Sequence, residues 1–472
     1  MPRYDAVVVG SGPNGLATAI TLARAGRSVL VVEGQPTIGG SVRSAALTLP
    51  GFIHDSCSAV FPFAVGSPFF RRLPLDEHGL RWVHPEVPLV HPLDAGTAVL
   101  LERSLSATAA GLGVDGAAYL RLMGPVVRDW DRIVPAILGP LRVPRHPLAV
   151  ARFGTRAAWP AGPLARFVFR ASGARALLGG LSAHACLPLE TPPTVAVGLV
   201  LAALAHRVGW PFPEGGAQRL SDAMASYLRR LGGEIVTDHP VEDLDRLPAS
   251  RLILCDTSPR ELARLAAGRL PDRYLRALHD FRHGPGVFKL DWALSGPIPW
   301  TAQGCRRAGT VHLGGTLGEI AAAERAPWRG EHSDRPYVLL GQPSLFDPSR
   351  APTGAQVAWA YCHVPHGSTI DMTQRMEAMV ERFAPGFRSL ILARHVTKPA
   401  DLEWSNRNLI GGDITAGVSD LRQIFFRPTL GFTPYRTPSK GLYLCSASTP
   451  PGPGVHGMCG YHAARTALRD GY

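Results

Sequence analysis

The sequence lacks the marks of a disulfide-bonded, zinc-binding or membrane-spanning protein. Its 7 cysteines (Cys57, Cys186, Cys255, Cys305, Cys362, Cys445 and Cys459) are odd in number, scattered and never spaced as C-x-x-C. That pattern argues against a disulfide framework or a zinc site and suits a reducing, cytoplasmic compartment. The longest uncharged apolar stretch, 194–205, falls short of the ~18 residues a spanning helix needs. The opening MPRYDAVVVG is interrupted by charge and flows straight into glycines, unlike a secretory leader. There is no internal repeat, no nucleophile-elbow pattern and no run of metal ligands. No acidic residue occurs between Asp131 and Glu190. Nucleic acid is not an expected partner, because no binding motif accompanies the positive charge.

What is present is a chain of 472 residues, 46% hydrophobic, with a formal net charge of +12. That length supports two or three domains with a large core. The acid-free stretch carries Arg132, Arg142, Arg145, Arg152, Arg156, Arg166, Arg170 and Arg175 among Trp159, Phe167, Phe169, Leu177 and Leu178. A basic face with apolar neighbours suits an anionic membrane surface, an acidic protein or an anionic substrate. A plain solvated surface accounts for it equally. The expected location is cytoplasmic, with peripheral membrane association as the variant.

Residues 4–9 (YDAVVV) read as a buried parallel strand. Gly10-Ser-Gly12-Pro-Asn-Gly15 follows, a G-x-G-x-x-G turn, then a helix-like 16–25 stopped by Gly26 and a second strand over 28–32. Glu33 ends that strand, 18 residues after Gly15. In this order each part has a task. Gly10 permits the tight turn, Gly12 lets backbone approach a pyrophosphate, and Gly15 lets helix and strand pack closely. The helix N-terminus offers free N–H groups and partial positive charge to phosphates. Glu33 can accept from ribose hydroxyls and disfavours a 2′-phosphate, so the dinucleotide is FAD or NAD, not NADP. Gly39-Gly40 and Arg43 follow, and a second paired-glycine approach of this kind points to FAD.

Near the far end, GLYLC (441–445) is a short strand, followed by a glycine-rich passage holding Gly454, Val455, Gly457 and Gly460, then a helix-like 461–468. That helix N-terminus can stabilise negative charge on a reduced flavin. Between the ends, FPEGG precedes a helical pattern at Leu220, Met224, Leu228 and Leu231. Ile235, Val236 and Val241 read as strands, and so does LILC (252–255).

These stretches resemble the phytoene-desaturase-like flavin oxidoreductases, within the wider group that also holds amine oxidases and Rab GDP-dissociation inhibitors. The narrower likeness is to their non-carotenoid "pyridine nucleotide-disulphide oxidoreductase domain" branch. It runs nearly end to end, through VVVGSGPNGLATAITLARAG, VVEGQPTIGGSVRS, GGAQRLSDAMASYLRRLGGEI, FKLDWALSGPIPW, PSLFDPSRAPTG, NLIGGDI with FFRP, and LYLCSASTPPGPGVHGMCGYHAA. The resemblance implies that Gly10, Gly12, Gly15, Glu33, Gly39, Gly40 and Arg43 touch FAD, with Pro13 and Asn14 inside the turn. It implies that Val241 meets the adenine through its backbone, and that Gly454, Val455 and Gly457 lie at the isoalloxazine. The family often has Gly-Ala-Gly and His-Pro-Gly after the last strand. Here Ser446-Ala447-Ser448 and Pro450-Pro451-Gly452 replace them, which weakens the assignment of Ser446 to the ribityl chain.

For chemistry there are two candidates. FKLDWAL (288–294) alternates, with Phe288, Leu290, Trp292 and Leu294 on one face and Lys289 and Asp291 on the other. Related oxidases often keep a lysine that holds a water at flavin N5, and Lys289 is the counterpart, unless the pair merely faces solvent at a strand edge. His456 is a suitable acid/base near neutral pH, or else a packing residue. His363 and His366 can form part of a substrate wall.

The expected fold is α/β. A Rossmann-type FAD-binding domain is assembled from 1–75, 214–275 and 430–472. A mixed-sheet α+β substrate domain comes from 76–213 and 276–429. The expected activity is FAD-dependent dehydrogenation, or the reverse saturation, of C–C or C–N bonds in an apolar or carrier-protein-tethered small molecule, by hydride transfer at flavin N5. A non-catalytic escort on the same fold and an amine oxidase are the alternatives.

Overall fold

The computed structural model describes residues 3–429 and 433–472. The expected domain limits at 1 and 430 lie outside them. β1 (Tyr4–Val9) and β2 (Val29–Val32) flank α1 (Pro13–Ala23). Both strands are apolar runs rich in valine and almost wholly buried, as a parallel sheet covered on both faces requires. Pro13 opens α1 at a position where its missing N–H costs nothing. Gly12, the N-cap, brings no capping side chain. Next come β3 (Val87–Pro92), β4 (Ala98–Leu101) and a run of helices between Leu105 and Arg207. The chain returns through α2 (Gln218–Arg230), β5 (Glu234–Val236) and β6 (Ser250–Cys255). It then forms β7 (Gly286–Leu294), β8 (Ala308–Leu313), β9 (Val338–Gly341), β10 (Gln356–Val364) and β11 (Ile391–Thr397). β12 (Leu442–Leu444) and α3 (Met458–Arg469) come last.

Among the described residues, strands from three distant stretches build one parallel sheet in the order β12-β6-β1-β2-β5. Val241, read as part of a strand, lies in loop beyond β5. Pro240 before it has no N–H for a ladder bond. α3 lies against α1 so closely that a Cβ on Gly460 would sit 1.9 Å from the Asn14 carbonyl oxygen.

The second sheet has the order β11-β7-β10-β9-β8-β3-β4, with β8 and β3 parallel and the other neighbours antiparallel. β7 lies between β10 and β11 and is buried along its whole length. Lys289 and Asp291 therefore form an internal ion pair rather than a solvent-facing edge. The apolar stretch at 194–205 is the buried helix Thr194–Arg207. No helix among the described residues is long and apolar enough to cross a membrane. Of the apolar neighbours of the basic stretch, Phe169, Leu177 and Leu178 are core. Trp159 and Phe167 are exposed and stack, with ring centroids 6.5 Å apart.

A buried ion cluster ties the loop before α2 to two segments distant in the chain, at Asp55 and at 347–350. Arg350 donates to both oxygens of Asp55, at 3.1 and 2.9 Å, and through Nε to Asp347 at 3.2 Å. The two carboxylates in turn accept the backbone N–H groups of Ala217 and Gly215, each at 2.7 Å.

Candidate functional site

A cavity of about 940 Å³ begins at the carboxyl ends of β1, β2 and β6 and extends into the helical layer. Ligands in open parallel sheets bind beyond the carboxyl ends of the strands. Gly10, Gly12, Pro13, Asn14, Glu33 and Val241 border one end. Gly40, Arg43, Ser446, Gly454, Val455 and His456 border the middle, and Ile137, Phe153, Val200 and Phe425 the apolar far end.

At the first end, Glu33 is 9% exposed and accepts from the Ser11 amide at 2.9 Å, the Ser11 hydroxyl at 2.6 Å and the Gln35 amide at 2.9 Å. A carboxylate has about four acceptor positions, so one remains for a ribose hydroxyl. Gly15 is packed rather than cavity-lining: a Cβ there would sit 2.1 Å from the Gly10 carbonyl oxygen. Its N–H donates to Asp256 at 2.8 Å. The Val241 carbonyl accepts from Arg264 at 3.2 Å.

Asp256 was not singled out from the sequence, although a lone acid directly after the buried strand LILC was a legible signal. Burial pushes its carboxyl up to about 7, against the Gly15 N–H bond and with help from Glu33. Because the folded value is the higher one, the associated stability is full below the unfolded value of about 4 and is lost as pH rises to about 7. Phosphates of a dinucleotide held at Gly12 would meet a neutral acid at low pH and a carboxylate at high pH, because Asp256 lies beside that glycine. FAD affinity is therefore expected to fall about tenfold between about pH 6 and about pH 8 in the unsubstituted protein. It is expected to stay flat in Asp256→Asn. Titration of FAD fluorescence checks this, and parallel pH profiles would remove Asp256 from the account.

In the middle, Arg43 donates from Nε to the Gly40 carbonyl at 2.7 Å and from Nη2 to the Ser405 carbonyl at 2.9 Å. The Ser446 hydroxyl accepts from the Ser448 amide at 3.3 Å. His456 is buried, and burial brings its ring down to about 4. Its Nδ1 accepts from the Met458 amide at 3.0 Å, so the neutral ring carries its hydrogen on Nε2. An acid role near neutral pH does not fit that state, whereas a hydrogen-bond donor does. Arg427, also unforeseen, borders the cavity and is buried, with Nη1 and Nη2 on the Ala447 and Gly417 carbonyls at 3.4 and 3.3 Å. Burial lowers it to about 10, and no carboxylate among the described residues lies within 4 Å of it. Trp359 and Tyr361, alternate residues of β10, form an aromatic wall with ring centroids 6.4 Å apart.

Gly39, Gly457 and Lys289 do not border the cavity. Gly39 is wedged against Ser221 and the Val42 carbonyl, and Gly457 against Phe69 and Ala17. Lys289 pairs in register with Tyr361 and so shares that face of the sheet, but it is buried and bound to Asp291. His363 and His366 also lie outside the lining. Open amides at the N-terminus of α1, the glycine turn, the spare acceptor on Glu33 and the continuous cavity together fit FAD.

Residues 8–73 match the NAD(P)-binding Rossmann-like domain family. The chain is 28% identical to the mouse (Mus musculus) pyridine nucleotide-disulfide oxidoreductase domain-containing protein 2, over 99% of this chain and 94% of that protein. It is 24% identical to a lycopene-forming phytoene desaturase of Pseudescherichia vulneris, over 58% of this chain and 59% of the relative. Its fold superposes on cyclohexylamine oxidase from Brevibacterium oxydans with a TM-score of 0.62 at 15% identity, covering 99% of each chain. The enzyme reading thus stands over the escort reading. A dinucleotide-binding domain, a relative matched nearly end to end and a shared fold make this chain similar to the FAD oxidoreductases.

Proposed function

We propose that the protein dehydrogenates, or in reverse saturates, a C–C bond of an apolar small molecule held in the far end of the cavity. The observation that carries this reading is the continuity of one cavity from the glycine turn to the apolar helices. Bound FAD would supply the hydride acceptor or donor. The chain's residues do the rest. Ile137, Phe153, Val200 and Phe425 exclude water around the substrate, and Trp359 and Tyr361 offer a flat wall to orient it. His456 offers a neutral donor. Among the described residues the carboxylates on the cavity are Glu33, Asp256 and Glu261, all at the dinucleotide end. A protonated amine would find no counter-charge at the other end, which favours C–C over C–N chemistry. The test is direct. Purified protein should be yellow and should bleach anaerobically with an apolar substrate from a panel of saturated and unsaturated terpenoids and acyl thioesters. Bleaching with simple amines alone would overturn the preference.

Arg427 is a buried cation with no ion-pair partner among the described residues, which costs stability and would balance negative charge gained by a bound flavin. Arg427→Met is expected to stabilise the FAD-free protein by about 1–4 kcal/mol. The same change is expected to slow anaerobic bleaching about 100-fold. Thermal denaturation and stopped-flow absorbance read the two effects, and matching losses in both would refute the assignment.

The apolar end opens beside Leu141 and Phe425, both exposed, with exposed Val143, Leu148 and Phe426 close by in sequence. Arg142 and Arg145 interleave them. This rim supports delivery of substrate from an anionic membrane surface or from an acidic carrier protein. Reversing Arg142 and Arg145 to Glu should weaken binding to phosphatidylserine-containing vesicles, with a strong salt dependence in the parent. Unchanged binding would remove the rim from the reading.

A further inference from the structure

Cys186 borders the cavity and takes no part in the function proposed above. Its sulfur lies 3.2 Å from His363 Nε2, and His363 Nδ1 lies 2.8 and 3.0 Å from the two oxygens of Glu324. All three side chains are buried. The carboxylate accepts a hydrogen bond from Nδ1–H, which leaves Nε2 facing the sulfur. A nucleophile beside a base that is itself oriented by an acid is the arrangement that activates thiols. Distant segments converge to build it: Cys186 follows the helix Ser172–Ala183, His363 lies on β10, and Glu324 lies in the helix Leu317–Arg325.

Two further observations bear on its use. Cys186 has φ +52°, the left-handed region where glycine is the unstrained residue, and glycine would forfeit the sulfur. Thr310, on the same cavity, has a buried hydroxyl with no hydrogen-bond partner among the described residues. Burial alone would make His363 less basic, but Cys186 and Glu324 outweigh it and hold the ring well above its ordinary value. His184 and Tyr361 flank the group.

We propose that Cys186, His363 and Glu324 form a nucleophilic triad that adds reversibly to α,β-unsaturated carbonyl compounds entering the cavity. His363 takes the thiol proton. The sulfur lone pair forms a C–S bond to the β-carbon, and the C=C pair shifts to give an enolate. The α-carbon of that enolate then receives the same proton back from His363. All atoms of thiol and enone end in one thioether, and no oxidant or reductant is consumed. A soft sulfur on a mainly apolar cavity wall, with the Glu324 carboxylate engaged by His363, selects a neutral, soft electrophile, and the Thr310 hydroxyl on the same cavity is a donor for its carbonyl oxygen. This activity goes beyond the flavin chemistry and needs no cofactor turnover.

The test treats FAD-loaded protein with cyclohex-2-enone and, separately, with iodoacetamide, and reads each cysteine by peptide mass spectrometry. Cys57, which also borders the cavity and whose thiol is pushed up by burial, is the internal reference. Below about pH 7 Cys186 should react about 100-fold faster than Cys57, with a rate nearly flat in pH. The enone adduct should carry the whole enone mass and reverse on dilution. Glu324→Gln should slow Cys186 about tenfold or more while leaving Cys57 unchanged, a split that a merely structural role would not produce. If that variant does not fold, the pH profile and the Cys186-to-Cys57 ratio in the parent protein decide. Native protein in which Cys186 stays unmodified, or reacts with the rising pH profile of a free thiol, overturns the proposal.

Discussion

Protein carrying Gly15→Ala is expected to purify without visible flavin absorbance and to bind added FAD at least about 100-fold more weakly, a loss of about 2.7 kcal/mol. The added methyl would sit 2.1 Å from the Gly10 carbonyl oxygen and 3.0 Å from its carbon. Carbon contacts are comfortable near about 3.5–4.0 Å, so turn and helix must part by more than about 1 Å. Both partners are backbone, which no rotamer change can move aside. The amides of α1 would then no longer converge with Glu33 on one dinucleotide. Overpacking itself costs about 1–3 kcal/mol, so the protein should remain folded by circular dichroism. Gly124→Ala is the matched control. It lies in the helix Gly116–Arg128, where a new Cβ meets nothing within 4 Å. That change should raise stability by about 0.5–1 kcal/mol and keep the colour. Normal flavin content in Gly15→Ala would refute the packing argument.

Arg350→Met is expected to lower unfolding free energy by about 3–5 kcal/mol, because it leaves two carboxylates buried without a counter-ion. Arg350, Asp55 and Asp347 are each at most 2% exposed, so the stranded carboxylates would lie away from bulk solvent. Adding Asp55→Asn and Asp347→Asn should return much of the loss. The amide oxygens can still accept the Ala217 and Gly215 N–H groups while the stranded charges are gone. Chemical denaturation of the single and triple variants measures both steps. A single variant costing under about 1 kcal/mol, or a triple variant worse than the single, would show that the cluster is not held by its charges.

The parallel sheet was legible because each strand is a short valine- or leucine-rich run bounded by glycine or an acid, and Glu33 falls where β2 ends. Most of the residues named from the glycine turn border the cavity, since the turn's geometry is local. What stayed hidden depends on partners far apart in the chain. GGAQRL and PSLFDPSRAPTG stood out as motifs, but their purpose emerges only when Gly215, Asp55, Asp347 and Arg350 meet. The alternation of FKLDWAL announced a shared face for Lys289 and Asp291. It could not say that β10 and β11 would cover both sides of the strand. Cys186, Glu324 and His363 are 39 or more positions apart, so no spacing rule joins them. Asp256 was readable from position alone, as a polar residue at the carboxyl end of a buried strand.

The packing of α3 onto α1 also sets an order of events during synthesis. The first strand and helix leave the ribosome early, but the surfaces that complete them, β12 and α3, are made hundreds of residues later. Until residues 442–469 emerge, the flank of α1 that α3 covers in the folded protein stays open. The dinucleotide-binding sheet and its helical cover are therefore expected to be complete only once residues 442–469 are made.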